Sequence, residues 1–236
     1  MIENAVIITG AAQRVGLALA LHLQALGFNV VATYRSERVG VTRLQEKGVT
    51  CVQADFSSTQ GVDDFIAWAQ ENVASVRAIV HNASDWCAEQ GRIDAELLKY
   101  MMQIHVEAPY LINLSLADKL SACSETADII HITDYTVEKG SDKHIAYCAS
   151  KAALDNLTLS FAKKFAPKVK VNTIAPSLLM FNQDDDDEYR AKTLKKSVLG
   201  IEPGAQEIVE AVSFILKSNY MTGRQIKLDG GRHIAF

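Results

Sequence analysis

The chain has 236 residues, of which 48% are hydrophobic and 22% charged, and its formal net charge is −4. That length supports one large α/β domain with a sizeable core and requires no second domain. The acid excess argues against a broad nucleic-acid surface, and no apolar run is long enough to span a bilayer.

Residues 5–8 form an apolar run that predicts a first strand. No basic segment or cleavage site precedes it, so a cytoplasmic protein is expected. Residues 14–26 carry helical periodicity, with Gly27 as C-cap. Residues 30–33 predict a second strand, followed by a polar helix ending near Gly48. A third strand is expected over 49–54, a helix over 61–72 and a fourth strand over 76–80. One long helical stretch should run from about 95 to 120, before a fifth strand at 129–133. The next helix extends to about 165, then come a sixth strand at 169–174, a helix at 206–216 and a last strand at 225–228. Short apolar runs alternating with helices imply a parallel sheet covered on both faces. The expected architecture is a single doubly wound α/β domain over 1–236, with about seven parallel strands. Cys51, Cys87, Cys123 and Cys148 are scattered and form no C-x-x-C pair, so reduced thiols and no metal site are expected.

Thr9-Gly10-Ala11-Ala12-Gln13-Arg14-Val15-Gly16 follows the first strand. Glycines let backbone amides approach a pyrophosphate, and a helix N-terminus adds partial positive charge. A capped turn with two convenient glycines is the plain alternative, and the turn's place after the first strand disfavours it. After the second strand the order is Thr33-Tyr34-Arg35-Ser36, with no carboxylate until Glu37. Guanidinium groups bind phosphate through charge-assisted bonds, so Arg35 and Ser36 are expected to take a 2′-phosphate and to favour NADPH. Alternatively, Arg35 merely solvates a loop.

Tyr147 and Lys151 lie four apart and project from one helical face. An ammonium beside a phenol favours the phenolate, which predicts easy proton exchange at Tyr147 near neutral pH. Thirteen residues earlier, Asp134 follows the apolar run at a strand edge. Tyr-x-x-x-Lys with a polar residue at that distance resembles the short-chain dehydrogenase/reductase family. Most members carry serine where this chain has Asp134. That aspartate, with T-G-x-x-x-R-x-G at the first turn and N-A-S-x-W at residues 82–86, resembles the family's pteridine reductase branch.

The resemblance covers residues 2–231 and implies a Rossmann-like fold, with Tyr147, Lys151 and Asp134 catalytic. Lys151 would hold the nicotinamide ribose and tune Tyr147, which would itself also contact the cofactor, and Asp134 would bond Tyr147 or the pterin. Whether Asp134, Tyr147 or water delivers the proton stays open. The implied cofactor contacts are Gly10, Arg14, Val15 and Gly16 at the turn, and Arg35 and Ser36 after the second strand. Asp55 and Phe56 would lie at the adenine and Asn82, Ala83 and Ser84 after the fourth strand. Pro176, Ser177 and Leu178 would cover the nicotinamide, although Ser177 replaces a glycine. Arg14, Ser84, Trp86, Asp134 and Tyr147 would meet the substrate. Trp86 either stacks on a flat ring or is a packing residue.

His105 stands where the family has an asparagine on a water-linked proton path. An imidazole, with a pKa of about 6.5, either preserves that relay or fills space. His22, His81, His131, His144 and His233 show no metal-ligand spacing and default to structural or exposed roles. Residues 178–204 are expected to form the substrate loop, and the acids at 184–187 read as solvated loop or helix-start charges. Residues 234–236 are placed in an oligomer interface, and the family resemblance implies a homotetramer. The implied activity is NADPH-dependent reduction of a dihydropterin, with hydride to C6 and a proton to N5. 7,8-Dihydromonapterin would be preferred and 7,8-dihydrofolate used more weakly. A carbonyl or 3-oxoacyl reductase, or a non-catalytic NADP-binding sensor, is the alternative.

Overall fold

The computed structural model describes residues 1–89 and 95–235. Among them β1 (Ala5–Ile8), β2 (Val30–Tyr34), β3 (Thr50–Gln53), β4 (Val76–His81), β5 (Ala127–Ile132), β6 (Val169–Pro176) and β7 (Gln225–Leu228) form one sheet. Its order is β3-β2-β1-β4-β5-β6-β7, and every pairing is parallel. β1, β4, β5 and β6 are buried along their whole length, because helices cover both faces.

Alternate residues of each strand feed opposite cores. Val6 and Ile8 pack with Leu19, Leu23, Leu44 and Ile215, from α1 (Arg14–Ala25), α2 (Val39–Glu46) and α9 (Gln206–Lys217). Ala5 and Ile7 face Phe65, Ile112 and Phe161, from α3 (Thr59–Asn72), α5 (Ala108–Ser115) and α7 (Ile145–Phe165). The connections diverge between β1 and β4, the switch point where doubly wound sheets open a crevice at their carboxyl ends.

Two elements differ from expectation. The predicted helix over 95–120 is broken into α4 (Ala95–Met102), a π-helical turn at Gln103–Glu107, α5, and α6 (Ala117–Ser121). Pro109 has no N–H to donate to the carbonyl four residues back, at His105, and its ring crowds that carbonyl, so the helix widens there. β5 begins at Ala127 and so includes the fully buried Asp128. This charge is tolerated because Arg77 Nη1 lies 2.6 Å and Lys170 Nζ 3.0 Å away, each near the start of an adjacent strand. The same two cations donate to the Leu216 and Ile215 carbonyls near the end of α9, where a helix favours positive charge.

The acid run does start a helix. Asp186 Oδ1 accepts the Tyr189 N–H at 2.7 Å and caps α8 (Asp187–Leu194), whose first turn carries Asp187 and Glu188. Among the described residues no helix is long and apolar enough to cross a membrane. Phe236, expected at an oligomer interface, lies outside the described residues.

Candidate active site

The turn after β1 and the turn after β4 are stitched together. Thr9 Oγ1 accepts the N–H groups of Asn82 and Ala83 at 3.0 and 2.9 Å, while Asn82 Nδ2 donates to the Thr9 and Gly10 carbonyls at 3.0 Å. Gly10 has φ +67, and a Cβ there would stand 2.8 Å from Ala83 Cα. Glycine is needed for both backbone and space. At the N-terminus of α1 the Gln13 side chain makes no capping bond, and the first turn holds no acid. Its amide groups and partial positive charge therefore face the cleft, as an anion-binding helix end requires.

This cleft, about 290 Å³, gathers the predicted turn residues Gly10, Arg14, Val15 and Gly16. Arg35 and Ser36 border it from β2, Asp55 and Phe56 from β3, and Asn82, Ala83 and Ser84 from β4. Glycine turn, open helix end and guanidinium groups suit a dinucleotide bearing an extra phosphate. Arg38 also borders the cleft and was missed. The signal was a second arginine three positions after Arg35, at the start of α2.

Two arginines make contacts that the sequence reading did not foresee. Arg14, in the left-handed region at φ +51, sends its guanidinium to the substrate-side segment. It donates to the Met180 carbonyl at 2.7 Å, Asn182 Oδ1 at 2.9 Å and the Phe181 carbonyl at 3.3 Å. These bonds hold the loop. Arg35 Nη1 lies 3.3 Å from Asp85 Oδ2 and 3.2 Å from the Tyr100 hydroxyl.

The catalytic candidates meet where β5 ends against α7. Asp134 Oδ1 accepts the Thr136 N–H at 2.8 Å and so caps the 3-10 turn Tyr135–Glu138. Its other oxygen accepts the Tyr147 hydroxyl at 3.0 Å. Lys151 Nζ donates to the Ile132 carbonyl at 2.9 Å and sits 5.7 Å from the centre of the Tyr147 ring. Burial, then the charge and hydrogen bond of Asp134, push the Tyr147 pKa well above its ordinary 10.0. The expected phenolate is thereby corrected. The ammonium stands over the ring face while the oxygen meets an anion, so the phenol stays protonated. Burial lowers Lys151 to about 8, with Asp134 pulling upward.

The π-helical turn delivers His105, 1% exposed, edge-on to Tyr147 at 5.5 Å between ring centres. Nε2 lies 2.8 Å from Ser84 Oγ and accepts the Asp85 N–H at 3.4 Å. Nδ1 lies 2.8 Å from Ser150 Oγ, whose own proton goes to the Tyr147 carbonyl at 2.8 Å. One tautomer satisfies every partner: the proton on Nδ1, the lone pair on Nε2, an assignment inferred from this network. Burial, then the Lys151 charge, lowers the His105 pKa to about 2, so the ring is neutral. His105 thus ties the β4 loop to α7, and the Ser84 hydroxyl expected to meet a ligand is engaged with it.

Trp86, 55% exposed, stands with its ring 4.6 Å from Tyr147 and 4.0 Å from His144. It forms part of the wall beside the catalytic phenol, where a flat ring could lie against it. Ser177 and Leu178 lie elsewhere. Ser177 N–H donates to the Leu228 carbonyl at 3.0 Å, and both residues border a separate cavity of about 330 Å³ with Lys227 and Arg232. Pro176 ends β6. These three are not brought into the first cleft.

His81 and His131 are structural, as expected by default, but in a buried polar row that spacing gave no sign of. His81 Nε2 meets Asn113 Oδ1 at 2.8 Å, and Asn113 Nδ2 meets His131 Nε2 at 3.3 Å. His131 Nδ1 meets Thr158 Oγ1 at 2.7 Å, which meets Thr173 Oγ1 at 2.7 Å.

Comparison with known proteins agrees with this geometry. Residues 10–233 match the family described as enoyl-(acyl carrier protein) reductase. The dihydromonapterin reductase of Enterobacter sp. (strain 638) is 52% identical over 232 residues, 98% of this chain and 97% of the relative. That of Escherichia coli (strain K12) is 50% identical over 231 residues, 97% of this chain and 96% of the relative. The crystal structure of FolM alternative dihydrofolate reductase 1 from Brucella canis, complexed with NADP, superposes with a TM-score of 0.87 at 28% identity. It covers 98% of this chain, which covers 94% of it. With its fold, its cleft and its Tyr-x-x-x-Lys helix, the chain belongs to the short-chain dehydrogenase/reductase family.

Proposed function

We propose that this protein reduces a dihydropterin with NADPH, acting on 7,8-dihydromonapterin and more weakly on 7,8-dihydrofolate. The observation that carries the reading is the bond from Tyr147 to Asp134 Oδ2 at 3.0 Å. A simple ketone needs no carboxylate there, whereas a polar heterocycle gains a hydrogen-bonding partner. About half of the residues are shared with relatives named as dihydromonapterin reductases, which supports the same substrate class.

NADPH, when bound, supplies the hydride that reduces the pterin 5,6 C=N bond at C6. The chain's residues do the rest. The amides opening α1, with Arg35 and Arg38, bind phosphate charge, and Asn82 keeps the two turns in register. Lys151 holds the nicotinamide ribose. Tyr147, kept protonated by burial and by Asp134, rotates its hydroxyl about the C–O bond and presents the proton to N5. Asp134 fixes the phenol's direction and can accept from the pterin ring edge. Trp86 limits water at the mouth and supports the flat ring. Exposed Tyr110 on α5 and Leu159 on α7 support assembly as a homotetramer through these helices, measurable by light scattering.

The test is NADPH oxidation with 7,8-dihydromonapterin, 7,8-dihydrofolate and a ketone panel, repeated with NADH. The expected result is turnover of both pterins, dihydromonapterin faster, with NADPH preferred. Turnover of ketones alone would make this a carbonyl reductase, and tight NADPH binding without any turnover would make it a sensor.

A further inference from the structure

The sheet order sets β2 and β4 on either side of β1, with all three carboxyl ends at the glycine turn. Arg35, just past the end of β2, reaches over this edge to Asp85, four residues past the end of β4. Tyr100 from α4 completes a triangle. Its hydroxyl donates to Asp85 Oδ2 at 2.6 Å and lies 3.2 Å from the same Nη1 that faces Asp85 at 3.3 Å. The other carboxylate oxygen, Oδ1, accepts the Trp86 N–H at 3.0 Å. Asp85 is thus fixed by α4 and by its own loop, independently of Arg35.

One guanidinium edge cannot serve a carboxylate and a phosphate together at full strength. A fixed carboxylate beside a phosphate also repels it. Both effects penalise a cofactor carrying a 2′-phosphate and leave one carrying a 2′-hydroxyl nearly untouched. We propose that Asp85, held in place by Tyr100, is a specificity-determining positioning residue that competes with the cofactor 2′-phosphate for Arg35 and so limits the preference for NADPH over NADH. This rests on the reading of Arg35 as the 2′-phosphate contact.

The experiment measures dissociation constants for NADPH and NADH by fluorescence titration. The proteins are the wild type, Asp85→Asn, Tyr100→Phe, Arg35→Met and the Arg35→Met/Asp85→Asn double variant, each checked by thermal melting. Asparagine keeps an oxygen for the Trp86 N–H while removing the charge. Asp85→Asn is expected to tighten NADPH about two- to fivefold, the scale of a half-exposed ion pair, and to leave NADH unchanged. Tyr100→Phe, which frees the carboxylate without removing it, should give a smaller gain confined to NADPH and serves as the second variant if Asp85→Asn melts early. The Asp85→Asn gain should shrink in the Arg35→Met background, to at most the part that direct repulsion contributes. Equal tightening of both cofactors, or a gain that persists undiminished without Arg35, would overturn the proposal. An Arg35→Met protein that loses its NADPH preference while Asp85→Asn changes nothing overturns it alone. An unchanged preference in Arg35→Met overturns the Arg35 reading as well.

Discussion

The Tyr147 hydroxyl and Asp134 are joined at 3.0 Å by an oxygen whose carboxylate partner is already pinned to the Thr136 N–H at 2.8 Å. The backbone therefore orients the acid, and the acid orients the phenol. Replacing Tyr147 by Phe removes the proton donor but no cofactor contact at the phosphate end. Turnover should fall about 10²- to 10⁴-fold with NADPH affinity kept. Asp134→Ala should lower turnover in the same direction and raise the pterin KM, because the phenol loses its orienting acceptor. Stopped-flow NADPH oxidation and fluorescence titration separate the two effects, and an active Tyr147→Phe protein would move the donor elsewhere.

Lys151 is cationic below its folded pKa of about 8 and neutral above it. If the ammonium holds ribose and cofactor, kcat/KM should be flat below that value and fall about tenfold per pH unit above it. Arginine stays charged over this range, so Lys151→Arg, even at reduced activity, should move the alkaline limb upward. A pH–rate profile with no limb near 8 would remove the charge from the mechanism.

Buried histidines make stability depend on pH in one direction. Burial lowers His81 to about 4 and His131 well below 6.5, and burial with the Lys151 charge lowers His105 to about 2. The unfolded chain binds protons at these sites from about pH 6.5 downward, whereas the folded protein does not. Their stabilising contribution is present above pH 6.5 and is lost as pH falls, by about 1.4 kcal/mol per pH unit for each histidine. Urea unfolding at pH 7 and pH 5 should show this slope, and His105→Gln should reduce it by one histidine's share.

Arg14 holds three consecutive residues of the substrate-side segment through its guanidinium. Arg14→Ala should raise the pterin KM about tenfold, the scale of one lost hydrogen bond to a charged group. It should also open the segment around Asn182 to proteolysis. Unchanged KM and protease resistance would show that the loop holds without it.

At the opposite end of the sheet, Asp128 sits between Arg77 and Lys170 with no exposure. Asp128→Ala leaves two buried cations facing one another and should cost about 3–5 kcal/mol of stability. Pterin kinetics of the folded fraction should stay unchanged, as read by denaturant unfolding beside steady-state assays.

The strands, the glycine turn and the Tyr147–Lys151 helix face are legible in the chain because each is a local pattern. Apolar runs such as 5–8 and 169–174 become buried strands wherever helices cover both faces. A four-residue spacing aligns two side chains on any helix. The partners of these side chains come from packing. Arg14 meets loop residues more than 160 positions away, and Arg35 meets an acid 50 positions on. His131 joins Asn113 and Thr158, and Thr158 carries the row on to Thr173. Proton affinity was decided there too. An adjacent lysine predicts an acidic phenol at Tyr147, but burial and the Asp134 carboxylate outweigh it and hold the proton on. Periodicity reports how a backbone turns, whereas charge and hydrogen bonding depend on which distant segments packing brings within a few ångströms and on how much water it removes.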